Sequence, residues 1–281
     1  MKKLIIIGVI CLFTQTLFAQ YIWYVDPADK FGAFEIEKVF VKLTGDKEMD
    51  EALKYGFENY WKQSPFELVA PKEFKNSSKW SFEIESYTFN DAGSYRFTGM
   101  GLYQLKKGKK IDYNVIFSLN FDNFSNVKTK QLNGIDKDNH MLSNKIIQYI
   151  ILLNQQLAKR KELGVKKYIY LNNKDKVKDV NLLIPKEYFD NGLSESVLKE
   201  NYKGKYTILT SDEIKKRIMD KKDLENCAEL IIWEDQETHG AFIMDLNTGD
   251  LLSYAKEGKF NMNPGKKITD GDFKTLIKKL Q

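Results

Sequence analysis

Two cysteines and two histidines are all that 281 residues contain, and this scarcity closes several routes to chemistry. Cys11 lies in an apolar amino-terminal run expected to be removed, which leaves Cys227 alone and permits no intramolecular disulfide, even in an oxidising compartment. Stability must then come from packing. With only His140 and His239, any site that moves protons or binds metal through imidazole has at most two rings to draw on. HExxH, GxSxG, a CxxC pair, GxxxxGK[ST] and a GxGxxG set between strand and helix are all missing. Gly265-Lys266-Lys267 imitates the end of a phosphate loop, but Phe260 stands where the first glycine belongs, Lys267 where the hydroxyl belongs, and the next residue is Ile268. An excess of one charge is missing too. Without Lys2 and Lys3 the formal charge of +5 falls to +3, too weak a balance to imply nucleic acid. No cofactor is expected.

The amino terminus carries an address. Lys2 and Lys3 form a positive region, Leu4 to Phe18 a mostly apolar core, and Leu17-Phe18-Ala19 ends in the small residue that signal peptidase needs. A membrane span needs about 20 apolar residues; this run is shorter and is interrupted by Thr14, Gln15 and Thr16. Cleavage is expected after Ala19, giving residues 1–19 as a signal peptide and a periplasmic or extracellular mature chain starting at Gln20. Lipoprotein processing at Cys11 is disfavoured by Ile10 before it. No further run is apolar for 18 residues, so no transmembrane segment is expected in the mature chain.

Internal similarity predicts two copies of one module. Pro65 to Phe74, an aromatic-led apolar run into a polar stretch, corresponds to Lys205 to Ile214, and each follows an Asn-Tyr phrase, at Asn59-Tyr60 and Asn201-Tyr202. Gly99, Leu105, Gly108, Ile111 and Tyr113 recur at a constant offset of 141 as Gly240, Leu246, Gly249, Leu252 and Tyr254. The second glycine of each pair is placed in a hairpin turn, where a positive φ is cheap without a Cβ.

Periodicity gives both halves the same plan. Glu37 to Leu43 reads as a strand, and Met49, Ala52, Leu53, Gly56, Phe57, Tyr60 and Trp61 fall on one helical face. Phe66 to Ala70 is a second strand, with Pro71 opening a short helix. Ser81 to Thr88 alternates Phe82 and Ile84 against Glu83 and Glu85, which places the carboxylates on a solvated face. A hairpin, Tyr95 to Leu105 and Ile111 to Leu119, leads to a closing helix from Asn139 to Lys161, with Gly164 at the boundary. The second half offers strands at Val180 to Ile184 and Tyr206 to Thr210, a helix stripe of Leu193, Val197, Leu198 and Tyr202, and Ser211 as cap of Asp212 to Met219. Cys227 to Trp233 reads as a strand covered on both faces. A hairpin around Asn247-Thr248-Gly249 and a last helix from Asp272 to Leu280 complete it. The expected fold class is therefore α/β (α+β): two tandem small mixed-sheet domains packed with helices, residues 20–164 and 165–281. Ile147, Ile151 and Leu152 widen the closing helix's stripe beyond what one small sheet covers, so this helix is expected to be buried between the halves.

This order of elements, with the phrase from Tyr206 to Ile214, resembles the small α/β module at the amino terminus of the Tol-Pal translocation protein and the core of the curli secretion pore protein. The resemblance implies an envelope-facing interaction domain.

Candidate site residues are few. Asp235, Glu237 and His239 between two strands, with Asp245, form the one cluster suited to a metal or to acid-base work, against the plainer reading of a polar turn. Lys106, Lys107, Lys109 and Lys110 around Gly108 form the densest basic cluster and a candidate anion contact, against a solvated hairpin tip. His140 is expected to be solvated at a helix start, and Cys227 to be a buried, inert thiol. The function expected from these features is a non-enzymatic binding or interaction protein of the periplasm or envelope, whose partner is an envelope protein or small ligand. The alternatives are a carboxylate-dependent, glycosidase-like hydrolase, and an anion or polysaccharide binder acting through the lysine-rich hairpin.

Overall fold

The computed structural model describes residues 36–74, 80–89, 95–105, 113–121, 140–163, 174–190, 192–234, 238–258 and 268–281, some of them at the backbone only. Residues 1–19, expected to be a signal peptide, the lysine cluster Lys106 to Lys110 with Gly108, Gly164, and Asp235 and Glu237 lie outside these residues.

Ten strands form two five-stranded sheets of the same design. β1 (Val39–Lys42), β2 (Phe66–Val69), β3 (Trp80–Phe89), β4 (Tyr95–Leu105) and β5 (Tyr113–Phe121) are ordered β2-β1-β3-β4-β5. β6 (Asn181–Pro185), β7 (Lys205–Leu209), β8 (Cys227–Glu234), β9 (Thr238–Asp245) and β10 (Leu251–Gly258) are ordered β7-β6-β8-β9-β10. Each sheet has a parallel trio at one end, followed by two antiparallel neighbours. The α/β class follows from these mixed sheets together with seven described helices: α1 (Lys47–Tyr60), α2 (His140–Leu163), α3 (Lys174–Val177), α4 (Glu187–Asp190), α5 (Glu195–Asn201), α6 (Ser211–Asp220) and α7 (Asp270–Leu280).

The packing is layered. In the first sheet Val39, Val41, Phe82, Met100 and Leu102 meet α1 and α2, with Phe57 of α1 ring-to-ring on Phe66 and Phe82 and Tyr149 of α2 on Phe82. Gly56 lets these two helices approach closely, since a Cβ there would strike Ile150. In the second sheet Leu182, Ile184, Leu230, Ile232 and Ile243 bury a core with Leu198 of α5 and Phe273, Leu276 and Ile277 of α7. Its opposite face, with Leu183, Ile231, Phe242, Met244 and Leu251, shares one core with α1, α2, α6 and the first sheet. One helical layer therefore serves both sheets.

The widened stripe is accounted for: Ile147 is 0%, Ile151 4% and Leu152 1% exposed, and Ile151 lies against Gly249 in the turn between β9 and β10. Three local expectations are corrected. Pro71 opens no helix; Glu73 and Phe74 amides return to the Ala70 carbonyl, closing a single turn. Thr210, not Ser211, caps α6, because Thr210 keeps extended backbone angles while its hydroxyl accepts from the Glu213 amide. Glu83 is not solvated: it is 2% exposed.

Candidate functional site

β1 sorts its side chains by alternation. Val39 and Val41 go to the helices, which turns Lys38, Phe40 and Lys42 onto the opposite, outer face of the first sheet. Neighbouring strands place Glu67 beside Phe40 and Ser81 across from it. The result is two repeats of one arrangement along the strand. Lys38 Nζ lies 2.6 Å from Glu67 Oε2 and 5.2 Å from the Phe40 ring centre. Lys42 Nζ lies 3.1 Å from Glu83 Oε2 and 5.2 Å from the ring of Phe74, which the turn after β2 brings over the sheet. Each cation thus has a carboxylate on one side and a π face on the other.

The two units differ in depth. Lys38 and Glu67 are well exposed, whereas the Glu83 side chain is 3% exposed against 34% for Lys42. Glu83 is held at both oxygens, since Ser81 Oγ donates to Oε1 at 2.8 Å and Lys42 to Oε2. A carboxylate engaged on both oxygens by a cation and a hydroxyl is suited to fixing Lys42 over Phe74. Phe40 and Phe74 are half-buried, so ring edges reach solvent beside the exposed Lys38–Glu67 pair.

Of the residues singled out from the sequence, those that are described fall elsewhere. His239 is in β9, paired with Glu234 and Glu257, and is not in a turn. Asp245 ends the same strand, six residues away, which at about 3.4 Å per residue is about 20 Å. No single metal ion spans that gap, so Asp245 is not part of a cluster with His239. Its carboxylate instead accepts from the amides of Asn247 and Thr248 at 2.9 and 2.8 Å and shapes the turn. Among the described residues no group of three potential ligands converges on a metal-sized site. His140 opens α2. Cys227 is buried, its thiol donating to the Asp223 carbonyl at 3.0 Å, and burial pushes its pKa up, away from a reactive thiolate.

The lysine, phenylalanine and glutamate set on the outer face was not singled out from the sequence. The signal available was the alternation Lys38-Val39-Phe40-Val41-Lys42, which puts two cations and one ring on a single face. No family model matches the chain, and no curated protein or solved structure matches it.

Proposed function

We propose that the chain is an exported, non-enzymatic binding or interaction protein of the periplasm or cell envelope, built from two copies of one mixed-sheet module, residues 20–164 and 165–281. The observation supporting a binding role is the outer face of the first sheet. The second sheet has helices against both faces, while on the outer face of the first sheet the Lys38–Glu67 pair is exposed and Phe40, Lys42 and Phe74 are only partly buried. Half-buried rings combined with oriented, paired charges are the ingredients of recognition surfaces: the rings supply contact area at low entropic cost, and the charges set orientation. The address rests on Lys2 and Lys3, the apolar run and Ala19.

The test pairs localisation with binding. Exported material should have an intact mass starting at Gln20, and retention of residues 1–19 would defeat the address. Mature protein should co-sediment with purified peptidoglycan or outer-membrane vesicles, and K38A/F40A should weaken that binding at least tenfold with an unchanged far-ultraviolet spectrum. Binding to neither material, or binding indifferent to the double substitution, removes the support for this surface.

A further inference from the structure

Two-lobed binding proteins commonly trap ligands by hinge closure, which requires an interface that opens at little cost. The contacts here run in both directions between the halves. From the first half, α2 sends Gln148 to Glu229 in the middle of the second sheet, and Gln155 and Lys159 to Asp250 beyond the β9–β10 turn. From the second half, α6 lies against α1: Tyr55 Oη donates to the Met219 carbonyl at 2.7 Å, Tyr60 Oη to Ile218 at 3.2 Å, and Lys215 pairs with Glu48 at 3.0 Å. The tyrosine hydroxyls therefore occupy the carbonyl end of a helix that belongs to the other half. Between these contacts lies a continuous apolar core that includes Ile147, Ile151, Leu183, Ile231, Phe242 and Met244.

We infer that the two halves are one cooperative frame, strapped reciprocally, so that a ligand is held on the surface of this frame and not by closure of a cleft between lobes. Opening the halves would wet the shared core, remove the Gln148 amide from Glu229 and strip the tyrosine hydroxyls from the carbonyl end of α6 in a single step. Water would replace the polar partners, but nothing would replace the apolar burial of the shared core. The inference stands on packing alone and survives if the proposed binding surface is wrong.

Native-state hydrogen exchange on the full mature chain tests it without any ligand. In wild type, the slowest amides of β1 and β3 and those of β6 and β8 should lose protection at the same urea concentration. L276A removes packing only from the second core, yet it should accelerate the slowest amides of both sheets by the same factor, at least about thirtyfold for a buried leucine truncation. Should L276A fail to fold, the milder I277V should accelerate both sheets together by a few-fold. Two separate wild-type midpoints, or acceleration confined to β6–β10, would overturn the inference.

Discussion

At the scale of single residues, polar groups are placed where they hold the frame. Asp250 shows how. Burial alone would raise its pKa, but the Lys159 ammonium, the Gln155 amide and the Thr248 hydroxyl together hold the carboxyl below its usual range. A carboxyl depressed in the folded state adds stability at pH values above its unfolded pKa, near 4, and this contribution disappears as pH falls through the lower folded value. D250N should therefore cost about 1 kcal/mol at pH 7, a modest figure because the pair is partly solvated. The penalty should shrink as the pH is lowered from 7 to 3. Urea midpoints of variant and wild type at the two pH values check this, and a pH-independent difference would show that the charge is not the cause. Gln148 acts in the same layer: Q148L removes a donor from the buried Glu229 carboxylate, for an expected loss of about 1–3 kcal/mol in urea unfolding. Neither role could be read from the sequence, because alternation says which face a side chain takes and not what lies over it. Glu83 was misread for the same reason.

At the scale of elements, periodicity was a dependable guide and boundaries followed the capping chemistry. Of the predicted α1 stripe, Met49, Ala52, Leu53, Gly56 and Phe57 are buried, as is Trp61 just past the helix, while Tyr60 is half-buried, and the run from Cys227 alternates between two buried faces. The failures are local. Thr210 and Ser211 are both competent caps, and the choice went to the residue left extended by the end of β7. The polar run before Gly240 has turn chemistry, yet ladder partners on both sides keep His239 and Gly240 in a strand. Caps make a direct test. Thr269 accepts from the Asp272 amide while Asp272 reaches back to the Thr269 amide at 3.0 Å, a reciprocal box at the start of α7. T269A should cost about 1 kcal/mol, read as a lowered urea midpoint with unchanged slope. T269S, which keeps the oxygen, should recover most of that loss.

At the scale of the whole molecule, the two sheets share one strand order and one pattern of strand directions, whereas the sharing of one helical layer had only the surplus of Ile147, Ile151 and Leu152 as its signal. α7, the counterpart of α2, shows why: Asp270, Lys274, Lys278 and Lys279 face solvent, so this helix covers a single sheet. The cost of the shared layer is measurable at two glycines that both have a positive φ. Gly192 has φ of 112° and nothing within 4 Å of a Cβ, whereas Gly249 has φ of 78° and its Cβ would lie 2.8 Å from Ile151 Cγ2 and 3.0 Å from the Ile151 carbonyl oxygen. Both alanine variants incur the strain of a left-handed residue, about 1 kcal/mol. Only G249A also pushes the β9–β10 turn away from α2, and a helix backbone cannot move aside as a flexible side chain can. G249A should therefore be less stable than G192A by about 1–3 kcal/mol, or by several degrees in Tm for a chain of this size. Equal melting temperatures for the two variants would mean that the turn and α2 separate without cost, and that the close approach between the halves contributes nothing to stability.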